Sequence, residues 1–178
     1  MGMKKLICTV QIIMLLITGI SVANAYELTG KSWPSNKRDP LWFYHTSGYS
    51  VVDDAVEDWN DENHDGGDLT EDDDPEYCWL YIVKVDKAVG WAGQTALVTS
   101  GDDIIAGDIS LNDYWFDGWG NGERKCTTSH EIGHAWGLDH EDDPSKTALM
   151  NSNHTLRWDV WGINTPQDDD IDGVNAIY

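Results

Sequence analysis

The sequence predicts an α+β domain, and three observations lead there. Four short segments rich in β-branched and aromatic residues read as strands, a stripe of apolar residues at helical spacing lies between the first two, and two further helical segments follow the last strand. No internal repeat interrupts this order, and nothing suggests a second domain.

The N-terminus reads as an export signal rather than as part of the fold. Lys4 and Lys5 form a basic start, Leu6 to Val22 is largely apolar, and Ala23-Asn24-Ala25 is a small-residue cleavage site. An uncleaved anchor is the alternative, and it would hold the chain at the cell surface instead of releasing it. Cys8 precedes completion of the apolar core, so it is badly placed for lipid attachment. No second apolar stretch is long enough to span a membrane. Residues 26–178 remain as one domain, long enough to bury a core.

Residues 26–40 carry Gly30, Pro34 and Pro40 and read as an irregular arm. Leu41 to His45 reads as the first strand. Val52, Ala55, Val56 and Trp59 mark one face of a helix over 51–59. Asn60 to Pro75 reads as an acidic loop with Gly66-Gly67. Cys78 to Val85, Thr95 to Thr99 and Ile104 to Leu111 read as strands, the last two separated by Gly101-Asp102-Asp103. Tyr114 to Gly122 reads as an aromatic, glycine-rich loop. A helix is expected from Lys125 or Thr127 to Trp136, an irregular stretch over 141–165, and a closing helix from Gln167 to Tyr178.

The most informative segment is His130-Glu131-Ile132-Gly133-His134-Ala135-Trp136-Gly137-Leu138-Asp139-His140. Residues four apart on a helix lie one turn above each other, so His130 and His134 can face one metal ion. Gly137 suits a left-handed helix end. A turn there would return the chain so that His140 supplies a third nitrogen. Three protein ligands leave a tetrahedral zinc one open position, the mark of a catalytic site rather than a structural one. Imidazole ligands suit Zn2+ best, although related metals can bind such a set. Glu131, beside the ligands, is placed to act as a general base. Thr128-Ser129-His130-Glu131 also fits a capping box, in which Glu131 would face its own backbone.

Charge and cysteines bound the partners. The chain has 11 basic and 32 acidic residues, a formal net charge of −21. Lys4 and Lys5 are the only charges in the signal, so residues 26–178 carry 9 basic and 32 acidic groups and a charge of −23. Such a domain does not favour nucleic acid or anionic membranes. Asp outnumbers Glu by 24 to 8. Asp61, Asn63, Asp65 and Asp68 resemble a run of oxygen ligands for Ca2+, though not an EF-hand; a solvated acidic loop is the plainer reading. Cys78 and Cys126 form an even pair in an exported chain and predict one disulfide. It would close a loop of about fifty residues, a stabilisation of roughly 3–4 kcal/mol in the chain-entropy account.

Five segments together resemble the catalytic domain of matrixins, a branch of the metzincin zinc peptidases. Ala55 to Asn60 resembles the family's first helix, Ile109 to Asn112 the strand before the active site, and His130 to His140 the zinc helix. Ala148-Leu149-Met150 resembles the Met-turn, and Gln167 to Tyr178 the closing helix. The resemblance implies a twisted five-stranded mixed sheet, two long helices, an irregular lower part after Gly137, and Met150 as a floor beneath the zinc. It implies a secreted, monomeric zinc endopeptidase with His130, His134 and His140 as ligands and Glu131 as general base. It also implies that an extended protein or peptide substrate adds alongside an edge strand at Gly107, Ile109, Leu111 and Asn112. The pocket beside the zinc would be walled by the helix and by residues after Met150, with Trp158 and Trp161 as candidates for shaping it.

The chain departs from the matrixin pattern in three places. Glu141 stands where matrixins usually carry serine or threonine, which is closer to the astacins, and Asn151-Ser152 replaces the usual tyrosine-proline. No cysteine lies in residues 26–40, so no cysteine-switch segment is expected. Two other functions stay open beside the peptidase: an extracellular binding module that keeps the zinc fold without catalysis, and an acidic calcium-dependent surface protein.

Overall fold

A computed structural model describes residues 26–178. The expected signal at 1–25 lies outside the described residues. Among the described residues, no helix is long and apolar enough to cross a membrane.

Five strands form one mixed sheet: β1 (Leu41–His45), β2 (Leu69–Glu71), β3 (Leu80–Val85), β4 (Gly93–Ser100) and β5 (Asp103–Asn112). Their order is β2-β1-β3-β5-β4, with β4 antiparallel to β5 and the other neighbours parallel. Helices α1 (Val51–Asp61) and α3 (Asn121–Ala135) pack on each other and on the sheet, α2 (Asp113–Phe116) is a short turn, and α4 (Asp168–Ile177) closes the domain. The expected five-stranded mixed sheet with two long helices is present.

The core follows from the sequence periodicity. Val52, Ala55, Val56 and Trp59 of α1 are buried, as the helical stripe requires. Leu41, Phe43, Leu80, Ile82, Ile109 and Leu111 are alternate inward residues of β1, β3 and β5, and they join them in one cluster. Trp59 also spends its polar edge on α3, donating from Nε1 to Ser129 O at 3.0 Å.

Four expectations are corrected. The acidic stretch Asn60 to Pro75 is not all loop: Leu69–Glu71 pairs with β1, and the Asn60 side chain clamps Leu69 through both its N–H and its C=O. The strand preceding the histidine-bearing helix is internal, because β5 lies between β3 and β4, so the sheet edge on that side belongs to β4. The helix α3 begins at Asn121, which puts Thr128 in its interior with Oγ1 donating to Arg124 O; Glu131 therefore caps nothing. Finally, Cys78 and Cys126 are free thiols. The Cys78 sulfur lies against the carbonyls of Asp72 and Asp74 just before β3, whereas Cys126 sits in α3 beside Arg157. Burial raises both thiol pKa values.

Candidate metal centre and active site

The site is built at the C-terminal end of α3. His130 is buried, His134 half-buried and His140 exposed. Helix pitch stacks His130 and His134, with ring centroids 4.7 Å apart at 83°. The third ligand depends on how the helix stops. Leu138 N donates to Gly133 O at 3.2 Å and Gly137 N to His134 O at 3.0 Å, the paired bonds of a Schellman end. Gly137 takes φ +99°, and a Cβ there would overlap Lys31 O, so the turn demands glycine. The N-terminal arm then fastens the returning chain, since Thr29 donates to Gly137 O and Asp139 N donates to Glu27 O.

After this turn His140 reaches the other two rings, with centroids 5.2 Å from His130 and 4.6 Å from His134. One ligand atom from each residue lies within 4.8 Å of the others. A test of the ligand set comes from the far side of the rings. His130 Nδ1 meets Leu149 O at 2.8 Å and His134 Nδ1 meets Leu138 O at 2.9 Å. A carbonyl oxygen only accepts, so both Nδ1 atoms carry the proton and both Nε2 lone pairs are free to ligate. Burial also lowers the pKa of both, to about 4 for His134, which keeps the rings neutral. His134 Nε2 and His140 Nε2 lie 3.1 Å apart, close enough for one cation to take both. Three imidazoles at this spacing fit a zinc ion.

Met150 packs against α3 at Gly133. A Cβ on Gly133 would overlap its Sδ, so the absent side chain creates the space. The preceding turn hangs on Asp170 at the start of α4. Its buried carboxylate accepts from Leu149 N, Met150 N and Gln167 N, at 2.9, 2.9 and 2.8 Å. One carboxylate thereby links the closing helix to the segment whose Leu149 carbonyl orients His130. Glu141 is buried and bridges to Asn151, and its carboxylate accepts from Asp143 N.

Glu131 is buried on α3 against β4. Thr95 Oγ1 lies 2.8 Å from Glu131 Oε2 and 2.9 Å from Glu131 O. A Cβ on Gly93 would come within 2.7 Å of Glu131 Cγ and Oε1, so glycine lets the edge strand close over the carboxylate. Burial raises the Glu131 pKa to about 7, opposed by the Thr95 hydroxyl.

Two grooves meet at this carboxylate, sharing Trp91, Gly93, Glu131 and His140. One, of about 520 Å3, runs beside β4 past Thr95, Leu97 and Thr99 to Lys31. The other, of about 400 Å3, is walled by Thr127 and His130 of α3 and by Ser152, His154 and Arg157 after Met150. Gly107, Ile109, Leu111 and Asn112 line neither groove. Ile109 and Leu111 are core residues, and Asn112 holds the 87–91 turn by donating to Lys87 O and Trp91 O. Nor do Trp158 and Trp161 line the second pocket: Trp158 covers Gly122, and Trp161 packs on the core.

The candidate calcium ligands do not converge. Among the described residues, only His130, His134 and His140 form a group of three or more such side chains within ligand distance. Asp61, Asn63, Asp65 and Asp68 are all exposed. His64, between them, turns inward and packs edge-on against Trp59 and Trp136.

Sequence reasoning did not single out Gly93, Thr95, Thr127, His154, Arg157 or Asp170. For Asp170 a signal existed, since it stands three residues after Gln167 at a helix start.

Comparison with known proteins agrees with this geometry. The matrixin family model matches residues 44–178. Human (Homo sapiens) neutrophil collagenase is 38% identical over 76 residues, which is 42% of this chain and 15% of the collagenase. The match spans over three-quarters of the sequence and includes His130, His134, His140 and Met150, so the chain belongs to the matrixin family of zinc metallopeptidases.

Proposed function

We propose that this protein is a secreted zinc endopeptidase whose catalytic domain spans residues 26–178. The observation that carries the reading is the pairing of a preorganised imidazole triad with a buried carboxylate where two grooves meet. His130, His134 and His140 would hold the zinc. When bound, the metal supplies Lewis acidity, acidifying a water to a pKa of roughly 7 and polarising a carbonyl.

The chain's own groups do the rest. Glu131 accepts the proton of the attacking water and delivers it to the leaving amine. Thr95 holds that carboxylate through Oε2. Leu149 O and Leu138 O fix the tautomers of two ligands. An extended peptide pairs with the free edge of β4 by main-chain hydrogen bonds, its side chains alternating towards the groove and away.

The test is Glu131→Ala in residues 26–178, loaded with zinc and mixed with an unfolded protein. Cleavage should fall by a factor on the order of 10^2 or more while bound zinc stays at one per chain. Unchanged cleavage would sink this role for Glu131. No cleavage by the folded, zinc-loaded parent would favour a binding module.

A further inference from the structure

The second groove is lined by a buried arginine as well as by the Glu131 carboxylate. Arg157 is 5% exposed, yet no carboxylate pairs with it among the described residues. Its Nη1 donates to Asn151 O, and its guanidinium lies beside the Cys126 thiol. Its Nε has no partner. Among the described residues, six buried side-chain nitrogens or oxygens lack a hydrogen-bond partner, and three of these belong to walls of this one pocket: Thr127 Oγ1, His154 Nε2 and Arg157 Nε. Each can donate. The His154 ring is held flat on Trp119, centroids 4.9 Å apart at 15°, so its position is set by stacking. A buried charge without a counter-ion and buried donors without acceptors are both costly. All three residues line this pocket, so an anionic group entering it faces every one of them.

We infer that this pocket selects a substrate side chain bearing a carboxylate, aspartate or glutamate, next to the scissile bond. The inference rests on the peptidase reading and deepens it. The pocket shares Glu131, His130 and His140 with the catalytic centre, so the side chain entering it flanks the bond cleaved. Glu123 stands 3.9 Å from His154 Nε2, and Asp159 lies nearby, but neither lines the pocket. Glu131 does line it, at the part shared with the β4 groove. Selection is local: the domain's overall negative charge repels a wholly acidic peptide, while one buried arginine rewards one correctly placed carboxylate. Trp91, Trp115 and Trp119 supply apolar walls for the methylene stem.

The test uses quenched-fluorescent peptides in which the two residues flanking the scissile bond are varied in turn among Asp, Glu, Asn, Gln and Leu. The zinc-loaded enzyme should favour Asp or Glu over Leu at one of these positions by at least tenfold in kcat/KM. Arg157→Leu should abolish or reverse that ratio, and Thr127→Val should reduce it severalfold. The second variant keeps the test alive if the first does not fold. A parallel arm measures anisotropy of labelled Glu and Leu peptides on zinc-loaded Glu131→Ala, where the Glu peptide should bind about tenfold more tightly. Equal or better use of Leu overturns the inference, as does Asn or Gln matching Asp and Glu. Cleavage of no peptide fails the peptidase reading, and the binding arm then still decides the pocket.

Discussion

Two polar stretches of this chain look equally ready to bind a metal, and they fold to opposite ends. His130 to His140 brings its three ligands together, whereas Asp61 to Asp68 spreads its oxygens into solvent. The difference lies in what holds the backbone behind the ligands. Behind the histidines stand a helical repeat, a Schellman turn and two carbonyls that fix the rings. Behind the acidic loop the structural work is done by other groups. His64 wedges against Trp59 and Trp136, Asn60 clamps Leu69, and Arg38 donates to Asp65 O while covering the ring of Tyr178. The loop packs against the back of the active-site helix, and its carboxylates are left to water. Ligand type alone does not make a site; convergence enforced by covalent spacing and hydrogen bonding does.

The comparison breaks most sharply at the triad itself. His134→Ala should weaken zinc by more than the 10–100-fold that loss of a supporting partner costs, and should abolish cleavage. A competitive zinc titration reads the affinity, and retention of near-native binding would refute the three-ligand site. Next is the floor. Gly133→Ala places a Cβ against Met150 Sδ, and overpacking of this kind costs about 1–3 kcal/mol, visible in urea unfolding. A neutral result would mean that the methionine moves freely and supports nothing.

Tyr178 sharpens the comparison from the shared wall between the two regions. Its hydroxyl donates to Trp136 O at 2.9 Å and accepts from Trp33 N at 3.2 Å. Burial raises its pKa from 10.0 to about 12, opposed by Trp33 N–H and Arg38. The folded state therefore holds this proton more tightly than the unfolded one. The associated stability is complete below pH 10 and is lost as pH climbs through 12, a change on the order of 2 kcal/mol. Tyr178→Phe should flatten that alkaline limb while costing about 1 kcal/mol at neutral pH. An unchanged limb in the variant assigns the titration elsewhere. The smallest effect is expected at the acidic loop. Millimolar calcium should leave the melting temperature of the zinc-loaded protein unchanged, and Asp65→Asn should alter stability by no more than about 0.5 kcal/mol. A calcium-dependent rise of several degrees, removed by Asp65→Asn, would restore the loop as a metal site.

The sequence was legible where local geometry is decided by nearby residues. Val52, Ala55, Val56 and Trp59 foretold α1, and the strands read at Cys78 to Val85 and Ile104 to Leu111 foretold β3 and β5. It was silent where pairing partners decide. β2 has three residues and one buried side chain, too little for a periodic signal, and it exists because β1 and Asn60 hold it. Strand order is likewise non-local, which is how β5 came to be read as the edge. The expected disulfide failed for the same reason: an even count of thiols says nothing about where the sulfurs lie.

By itself, then, the sequence singled out the three histidines that converge, the carboxylate of Glu131 beside them and the glycine that ends the helix. Those depend on a pitch of 3.6 residues and on a φ that only glycine adopts readily. Tertiary structure alone decided which strand lies at the sheet edge beside the groove, that Thr95 and Gly93 embrace Glu131, and that Arg157 is buried outside any ion pair among the described residues. These contacts join residues tens of positions apart, and their energies come from desolvation and packing that no local pattern of side chains encodes.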